Sequence, residues 1–241
     1  IAHHVDYVAL SFVKSAKDII AVKKYLKETG IKIIAKIERT EAVRPGVLDE
    51  IIKVSDAVMV ARGDLGVEVG PEHVPILQKR IIHISNTYGK PVITATQMLT
   101  SMLENPVPTR AEVSDIANAI LDHTDALMLS NETSVGAFPI KTIQVMSKIA
   151  LTVEKEMAKY TLFNAYKKED MPALSATACA GVQLTHDMNA HLIVILTETG
   201  ESALEVTKYR LQKETVVITS NEQLRQQLSL AWGLHTILLA P

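Results

Sequence analysis

Five apolar segments recur along the first two thirds of the chain, and they constrain the fold more than any other feature. They are Val5–Phe12, Ile31–Glu38, Asp56–Gly63, Pro91–Met98 and Asp125–Ser130. Each is rich in Val, Ile, Met and Ala and mostly continuous rather than alternating, the pattern of strands covered on both faces in a parallel sheet. Their starts recur every ~25–35 residues, the period of a strand–helix unit. The gaps carry helix signals. Ser15 with Asp18 three residues on predicts an N-terminus, and Gly30 closes that helix. Pro71, Pro108 and Pro139 open helices through His83–Ile84, over Glu112–Leu121 and over Ile140–Tyr160. After Glu38, Pro45-Gly46 breaks the helical pattern into two pieces.

Five such units do not close a barrel of eight, which takes about 250 residues. Either the sheet is open, or about three units precede Ile1; the start of the chain directly in a strand favours the second, the C-terminal five βα units of a TIM (β/α)8 barrel over residues 1–154. Past Tyr160 the pattern changes. Thr161–Met171 is polar and reads as a linker. Helix Ala173–Asp187, strand His191–Leu196, helix Ser202–Tyr209, strand Thr215–Thr219, helix Glu222–Trp232 and strand Thr236–Leu239 then predict a truncated α/β C-terminal domain within residues 155–241.

Composition narrows the function. The chain is 47% hydrophobic and 22% charged with a formal net charge of −2, and no segment concentrates Lys and Arg. That argues against nucleic acid and anionic membrane as partners. No apolar run approaches the ~20 residues of a membrane span. A single cysteine, Cys179, in an apolar helical setting predicts a buried, inert thiol and a reducing, cytoplasmic compartment. His3-His4 is a weak metal signal, and the histidine spacing argues against zinc.

Chemistry concentrates at the ends of the predicted strands, where barrel active sites gather. Lys36 and Glu38 are two apart and share a face; Arg62 and Asp64 are expected to end the third strand in the same way. Two carboxylates from neighbouring strands suit a hard cation such as magnesium, and Lys36 suits a transferring phosphoryl group. A network of buried ion pairs would place the same residues there and stays open on this reading. Gly63-Asp64-Leu65-Gly66 reads either as a tight turn with free N–H groups suited to a carboxylate or as a plain strand-to-helix turn. Thr94 and Thr96 are expected on one face of the fourth strand, and Ser130-Asn131-Glu132-Thr133 ends the fifth. Arg110 and Glu112 fall in the first turn of a helix after Pro108-Thr109, as a capped surface helix or a subunit contact.

Taken jointly, five motifs resemble the pyruvate kinase family in order and spacing. They are Ile34–Glu38, Met59–Gly66, Thr94–Leu99, Pro108–Glu112 and Met128–Ser130. The resemblance implies transfer of a phosphoryl group from phosphoenolpyruvate to ADP, giving pyruvate and ATP in glycolysis, with Mg2+ (or Mn2+) and K+. It implies Lys36 as the group stabilising the phosphoryl transition state and the enolate, and Glu38 and Asp64 as the Mg2+ ligands. Gly63, Asp64 and Thr96 would contact the pyruvate part, Thr96 near the face where the enolate is protonated, with Ser130 in a proton relay. Arg62 would brace the site. Most K+ ligands and the nucleotide arginines would lie outside these residues, so the 241-residue chain alone is expected to be inactive, and its parent is expected to be a homotetramer. Asn131 and Ser134-Val135 depart from the family pattern and are expected to crowd the end of the fifth strand. Leu211 stands where proline is usual.

In the second domain, the Thr197–Ser202 turn resembles the family's effector loop. Thr197, Thr199 and Ser202 would suit a phosphate, whereas Glu198 and Glu201 would repel one, so weak or absent fructose 1,6-bisphosphate binding is expected. Two other readings compete: a metal-dependent aldolase or lyase acting on a pyruvate enolate, and a non-catalytic assembly fragment.

Overall fold

The computed structural model describes residues 5–157 and 170–239. Its first sheet has five parallel strands in sequential order: β1 (Tyr7–Leu10), β2 (Lys32–Ile37), β3 (Ala57–Ala61), β4 (Val92–Ala95) and β5 (Ala126–Met128). Sequential order without a reversal is the order of a barrel wall, not of a doubly wound sheet, whose order reverses at a switch point. Right-handed crossovers then carry every connecting helix to the same side.

Alternate residues show this directly. Ile33, Ala35, Ile37, Val58, Val60 and Val92 belong to the core under the helices α1 (Ala16–Leu26), α2 (Val47–Val54) and α4 (Val74–Thr87). The opposite face carries Ile34, Ala57, Met59, Ile93 and Ala95. Burial on both faces explains why the strands read as continuous apolar runs. Between β3 and α4 lies α3 (Arg62–Val69), followed by a 3-10 turn at Pro71–His73. A second 3-10 turn (Thr100–Leu103) precedes α5 (Arg110–Leu121). Then come α6 (Asn131–Ser134) and the long α7 (Pro139–Met157), which packs with α5 around Ile116, Ile120 and Met146.

Every observed strand of this sheet ends earlier than its apolar run, with consequences for the site. The capping box expected at Ser15 and Asp18 is present, and Asp18 Oδ2 accepts from the N–H of Ser15 at 2.9 Å. The helix after Pro108 starts at Arg110 with Thr109 as its cap. Tyr160 and most of the predicted linker lie outside the described residues.

The second unit contains α8 (Ala173–Asp187), β6 (Leu192–Leu196), α9 (Glu201–Thr207), β7 (Glu214–Thr219), α10 (Glu222–Leu228) and β8 (Leu234–Leu238). Its strands form a parallel sheet in the order β6-β7-β8. Cys179 is buried there, beside Val182, Tyr209, Leu211 and Val217 in one apolar cluster. Leu211 thus contributes packing where a proline would contribute rigidity.

This unit sits on the N-terminal ends of the first sheet's strands. Gln227 Nε2 donates to the carbonyls of Gly30 (2.8 Å) and Asp6 (3.3 Å), and its own carbonyl accepts from Tyr7 Oη at 2.9 Å. Arg210 pairs with Asp125, the residue before β5, at 2.7 Å. The C-terminal strand ends lie on the other side.

Candidate functional site

The inner face of β2 runs Ile34, Lys36 and then Glu38, one residue beyond the strand. Lys36 Nζ lies 2.6 Å from Glu38 Oε1, so the two share a face as expected and also form one ion pair of the network that the sequence left open. Lys36 also donates to Ser11 Oγ at 2.9 Å, and Glu38 Oε2 accepts from the N–H of Phe12 at 2.7 Å. Ser11 and Phe12 close the end of β1, and Phe12 holds a left-handed backbone (φ 57°) while exposing its ring. Sequence reading placed them only as the end of a strand.

Glu38 is 1% exposed, a heavy desolvation cost for a carboxylate with few partners. Its Oε1 takes no hydrogen bond of good geometry beyond the ion pair with Lys36. A buried carboxylate oxygen with spare acceptor capacity, beside an ammonium and near an open strand end, is suited to a hard cation. Asp64 is exposed, in the first turn of α3. A divalent ion that keeps several waters and substrate oxygens needs only one or two such carboxylates. Among the described residues no group of three or more His, Cys, Asp or Glu forms a metal cluster.

Two expectations about the next strands are corrected. Arg62 and Asp64 do not end β3 with a shared strand face, because β3 stops at Ala61 and both residues belong to α3. Residues two apart on a helix point in different directions. Arg62 turns inward and is 7% exposed, whereas Asp64 faces out. Gly63-Asp64-Leu65-Gly66 takes the strand-to-helix form, as the start of that helix.

Thr94 and Thr96 also part company, since β4 ends at Ala95. Thr94 is buried and donates to Thr124 Oγ1 at 3.0 Å, a structural bond between β4 and the approach to β5. Thr96 and Gln97 both adopt left-handed backbones, with φ of 68° and 53°. That conformation is rare for a β-branched residue; it costs ~1–3 kcal/mol at each position and persists only where the surroundings enforce it. The turn swings Thr96 Oγ1 against α3, where it accepts from the N–H of Gly63 at 2.8 Å and donates to the carbonyl of Ala95 at 2.7 Å. A methyl added at Gly63 would lie 3.5 Å from that hydroxyl and fill the space beside it.

Arg62 encloses this turn from below. Its Nη1 donates to both Asp115 oxygens at 2.8 and 2.7 Å. Its Nη2 donates to the carbonyls of Thr96 (2.7 Å) and Gln97 (3.1 Å). A cleft of 470 Å³ lined by Arg62, Gly63, Gly66, Val67, Gln97 and Asp115 opens here, and Lys36 and Glu38 do not line it.

Ser130 caps α6, and its N–H donates to Glu132 Oε2 at 2.9 Å. The other oxygen of Glu132 accepts from the N–H of Leu99 at 3.2 Å. This buried glutamate ties the ends of β4 and β5 together; the sequence offered only its place in the string Ser130–Thr133. Asn131 is exposed, so its side chain does not crowd the strand end as expected. The run after Pro108 is a full capping box. Glu112 accepts from the N–H of Thr109 (2.8 Å) and of Ser101 (2.7 Å). Burial pushes the Glu112 carboxyl up, but hydrogen bonds from Ser101 and Thr109 prevail and hold it below its usual range.

In the second unit, Thr197 Oγ1 accepts from the N–H of Gly200 (2.9 Å) and Thr199 Oγ1 from that of Glu201 (3.4 Å). Both hydroxyls are thus engaged within their own turn. Ser202 lies in the first turn of α9, and Glu198 reaches across to Ser220 Oγ at 2.9 Å.

Parallel strands in barrel order, with an ammonium, carboxylates and a threonine-held helix start at their C-terminal ends, define a barrel-type α/β protein whose charged and polar groups gather at the strand ends. The chain belongs to the pyruvate kinase family. The model of the pyruvate kinase barrel domain matches residues 1–143, and that of the pyruvate kinase alpha/beta domain matches residues 175–241. The pyruvate kinase of Clostridium acetobutylicum is 45% identical over 97% of this chain and 50% of its own length. That of Thermotoga maritima is 47% identical over 95% of this chain and 48% of its own length. A crystal structure of a pyruvate kinase from Cryptosporidium parvum superposes with a TM-score of 0.94 at 40% identity, covering 98% of this chain and 50% of that one. The chain thus spans about half the length of these relatives. No described helix is long and apolar enough to cross a membrane.

Proposed function

We propose that this chain supplies the lysine, acid and substrate-carboxylate side of a site that transfers the phosphoryl group of phosphoenolpyruvate to ADP. The observation that carries the reading is the contact of Lys36 Nζ with Glu38 Oε1 at 2.6 Å, on a strand end adjacent to the Gly63–Thr96 turn. The bond from phosphorus to the enol oxygen breaks, a terminal ADP oxygen takes the phosphorus, and the enolate carbon takes a proton to give pyruvate. Such a transfer needs positioning and charge neutralisation more than covalent help.

Lys36 sets a positive charge at the open strand end, where charge grows on the phosphoryl and enolate oxygens. Glu38 and Asp64 would hold Mg2+ (or Mn2+), which when bound neutralises phosphoryl charge. Gly63 and Asp64, at the start of α3, would meet the substrate carboxylate. Thr96 joins them once its hydroxyl proton turns away from the Ala95 carbonyl. Ser130 is assigned to the proton relay on its place after β5, and K+ would take most of its ligands from outside these residues. The whole protein would be a cytoplasmic homotetramer, and the reading divides the chain into a barrel part (1–154) and a C-terminal part (155–241). Thr197, Thr199 and Ser202 would hold a sugar phosphate weakly, since Glu198 and Glu201 flank them.

The test is a coupled assay of pyruvate formation from phosphoenolpyruvate and ADP, on the full natural polypeptide that carries this chain. Lys36→Met should lower kcat by about 10²–10³-fold. Glu38→Gln should raise the Mg2+ concentration for half-maximal rate by about tenfold or more. Wild-type protein that forms no pyruvate, or Lys36→Met at full rate, would sink the reading. The 241-residue chain alone should be inactive, because the nucleotide arginines and most K+ ligands would lie outside it.

A further inference from the structure

Arg62 has a hydrogen-bond set that substrate chemistry does not explain. It is buried, yet four of its bonds go to the carbonyls of Ala95, Thr96 and Gln97, where the chain takes two successive left-handed steps. The same Nη2 also meets Met98 Sδ at 2.8 Å. The remaining nitrogen faces Asp115 in both oxygens and Gln78 Oε1 at 3.4 Å. A planar guanidinium presents donors in a fixed fork, so it can bind adjacent carbonyls only when they converge. A left-handed turn makes them converge, and an extended strand would send successive carbonyls to opposite sides.

We infer that Arg62 and Asp115 form a positioning pair that enforces the left-handed turn at Thr96–Gln97 and so aims the Thr96 hydroxyl at the Gly63 amide. Neither residue touches the reacting atoms in this assignment; both act through Thr96. Asp115 lies on α5, so the orientation of that helix is transmitted to the substrate side of the site. Asp115 is also 39% exposed, while Arg62 is 7% exposed. The pair is thus anchored from the outside and acts inward. The inference rests on the proposed role of Thr96 only for its catalytic consequence; the positioning itself stands on the geometry.

Two readouts separate these layers, both on the full natural polypeptide. The first is hydrogen–deuterium exchange at the Gly63 amide. Arg62→Lys and Asp115→Asn should each speed it about tenfold or more, with melting temperatures within a few degrees of wild type. Unchanged exchange in a folded Asp115→Asn protein overturns the inference, whatever Arg62→Lys does. The second is a double-mutant cycle with Thr96→Ala on the KM for phosphoenolpyruvate. Arg62→Lys should raise KM about tenfold in wild type, with a smaller change in kcat, and add little in the Thr96→Ala background. Additive effects overturn it. If the wild-type protein does not use phosphoenolpyruvate, the proposed function falls and the exchange measurement alone decides on the pair.

Discussion

Arg210 grips Asp125 with both terminal nitrogens, Nη1 to Oδ1 at 2.7 Å and Nη2 to Oδ2 at 2.9 Å, across the junction of the two sheets. Each side chain is 3% exposed. Arg210 also donates to Asn86 Oδ1 (2.9 Å) and to the carbonyl of His123 (2.7 Å). Asp125 accepts in addition from the N–H of Trp232 and from that of Val92, both at 3.0 Å. One residue of the second unit thereby fixes the start of β5 at the end of the sheet opposite the site.

Removing one partner of such a pair strands a buried charge. Asp125→Asn or Arg210→Gln should therefore destabilise the protein by about 3–5 kcal/mol. Urea unfolding followed by circular dichroism checks this. A loss below 1 kcal/mol in both variants would show that water reaches the junction.

His123 sets a pH dependence at the same place. Burial, and then the positive charge of Arg210, lower its pKa from 6.5 to about 4, against the opposing pull of Asp122 and Asp125. The unfolded chain therefore binds a proton between pH 6.5 and 4 that the folded chain refuses. Stability is full above pH 6.5 and falls as pH drops through that window, by on the order of 1 kcal/mol once solvent screening is allowed for. His123 has φ 71°, a conformation asparagine tolerates. His123→Asn should flatten the melting-temperature profile between pH 7 and 4 while leaving the value at pH 7.5 nearly unchanged. An equally steep profile in the variant would assign the dependence elsewhere.

Glu112 holds more than its own helix. It accepts from the backbone and hydroxyl of both Ser101 and Thr109, joining the turn after β4 to the start of α5. Thr109→Ala, which removes the cap and one hydroxyl bond to Glu112, should cost about 1 kcal/mol. Glu112→Ala should cost more, on the order of 2–3 kcal/mol, because two backbone donors lose their acceptor. Its depressed pKa makes this contribution present above the usual carboxylate range and lost as pH falls through the folded value. Equal losses in the two variants, measured by urea unfolding, would refute the bridging role.

Gly63→Ala separates stability from substrate binding. Gly63 lies in α3 without a positive φ, so alanine should keep or slightly raise stability, by up to about 1 kcal/mol. Its methyl would fill the space beside Thr96 Oγ1, and KM for phosphoenolpyruvate should rise about tenfold or more. Parallel thermal melts and steady-state kinetics read both effects. An unchanged KM would place the substrate carboxylate elsewhere.

The sequence by itself determined the strand–helix alternation, the parallel character of the first sheet, the helix starts at Ser15 and Thr109, and the shared face of Lys36 and Glu38. These follow from periods of two and 3.6 residues, from caps and from strand faces, all set within a few residues of chain. The tertiary structure decided where the strands stop, and that relocated half of the site. Arg62 and Asp64 read as strand residues because Ala57–Ala61 is apolar to its end, and nothing local marks the switch to helix. Thr96 and Gln97 take left-handed backbones that no local propensity favours, because Arg62, more than thirty residues earlier, draws their carbonyls together. Asp115 and Glu132 are ordinary helix acids until packing brings them to Arg62 and Leu99. Contacts between residues remote in sequence leave no periodic trace, so only the folded chain displays them.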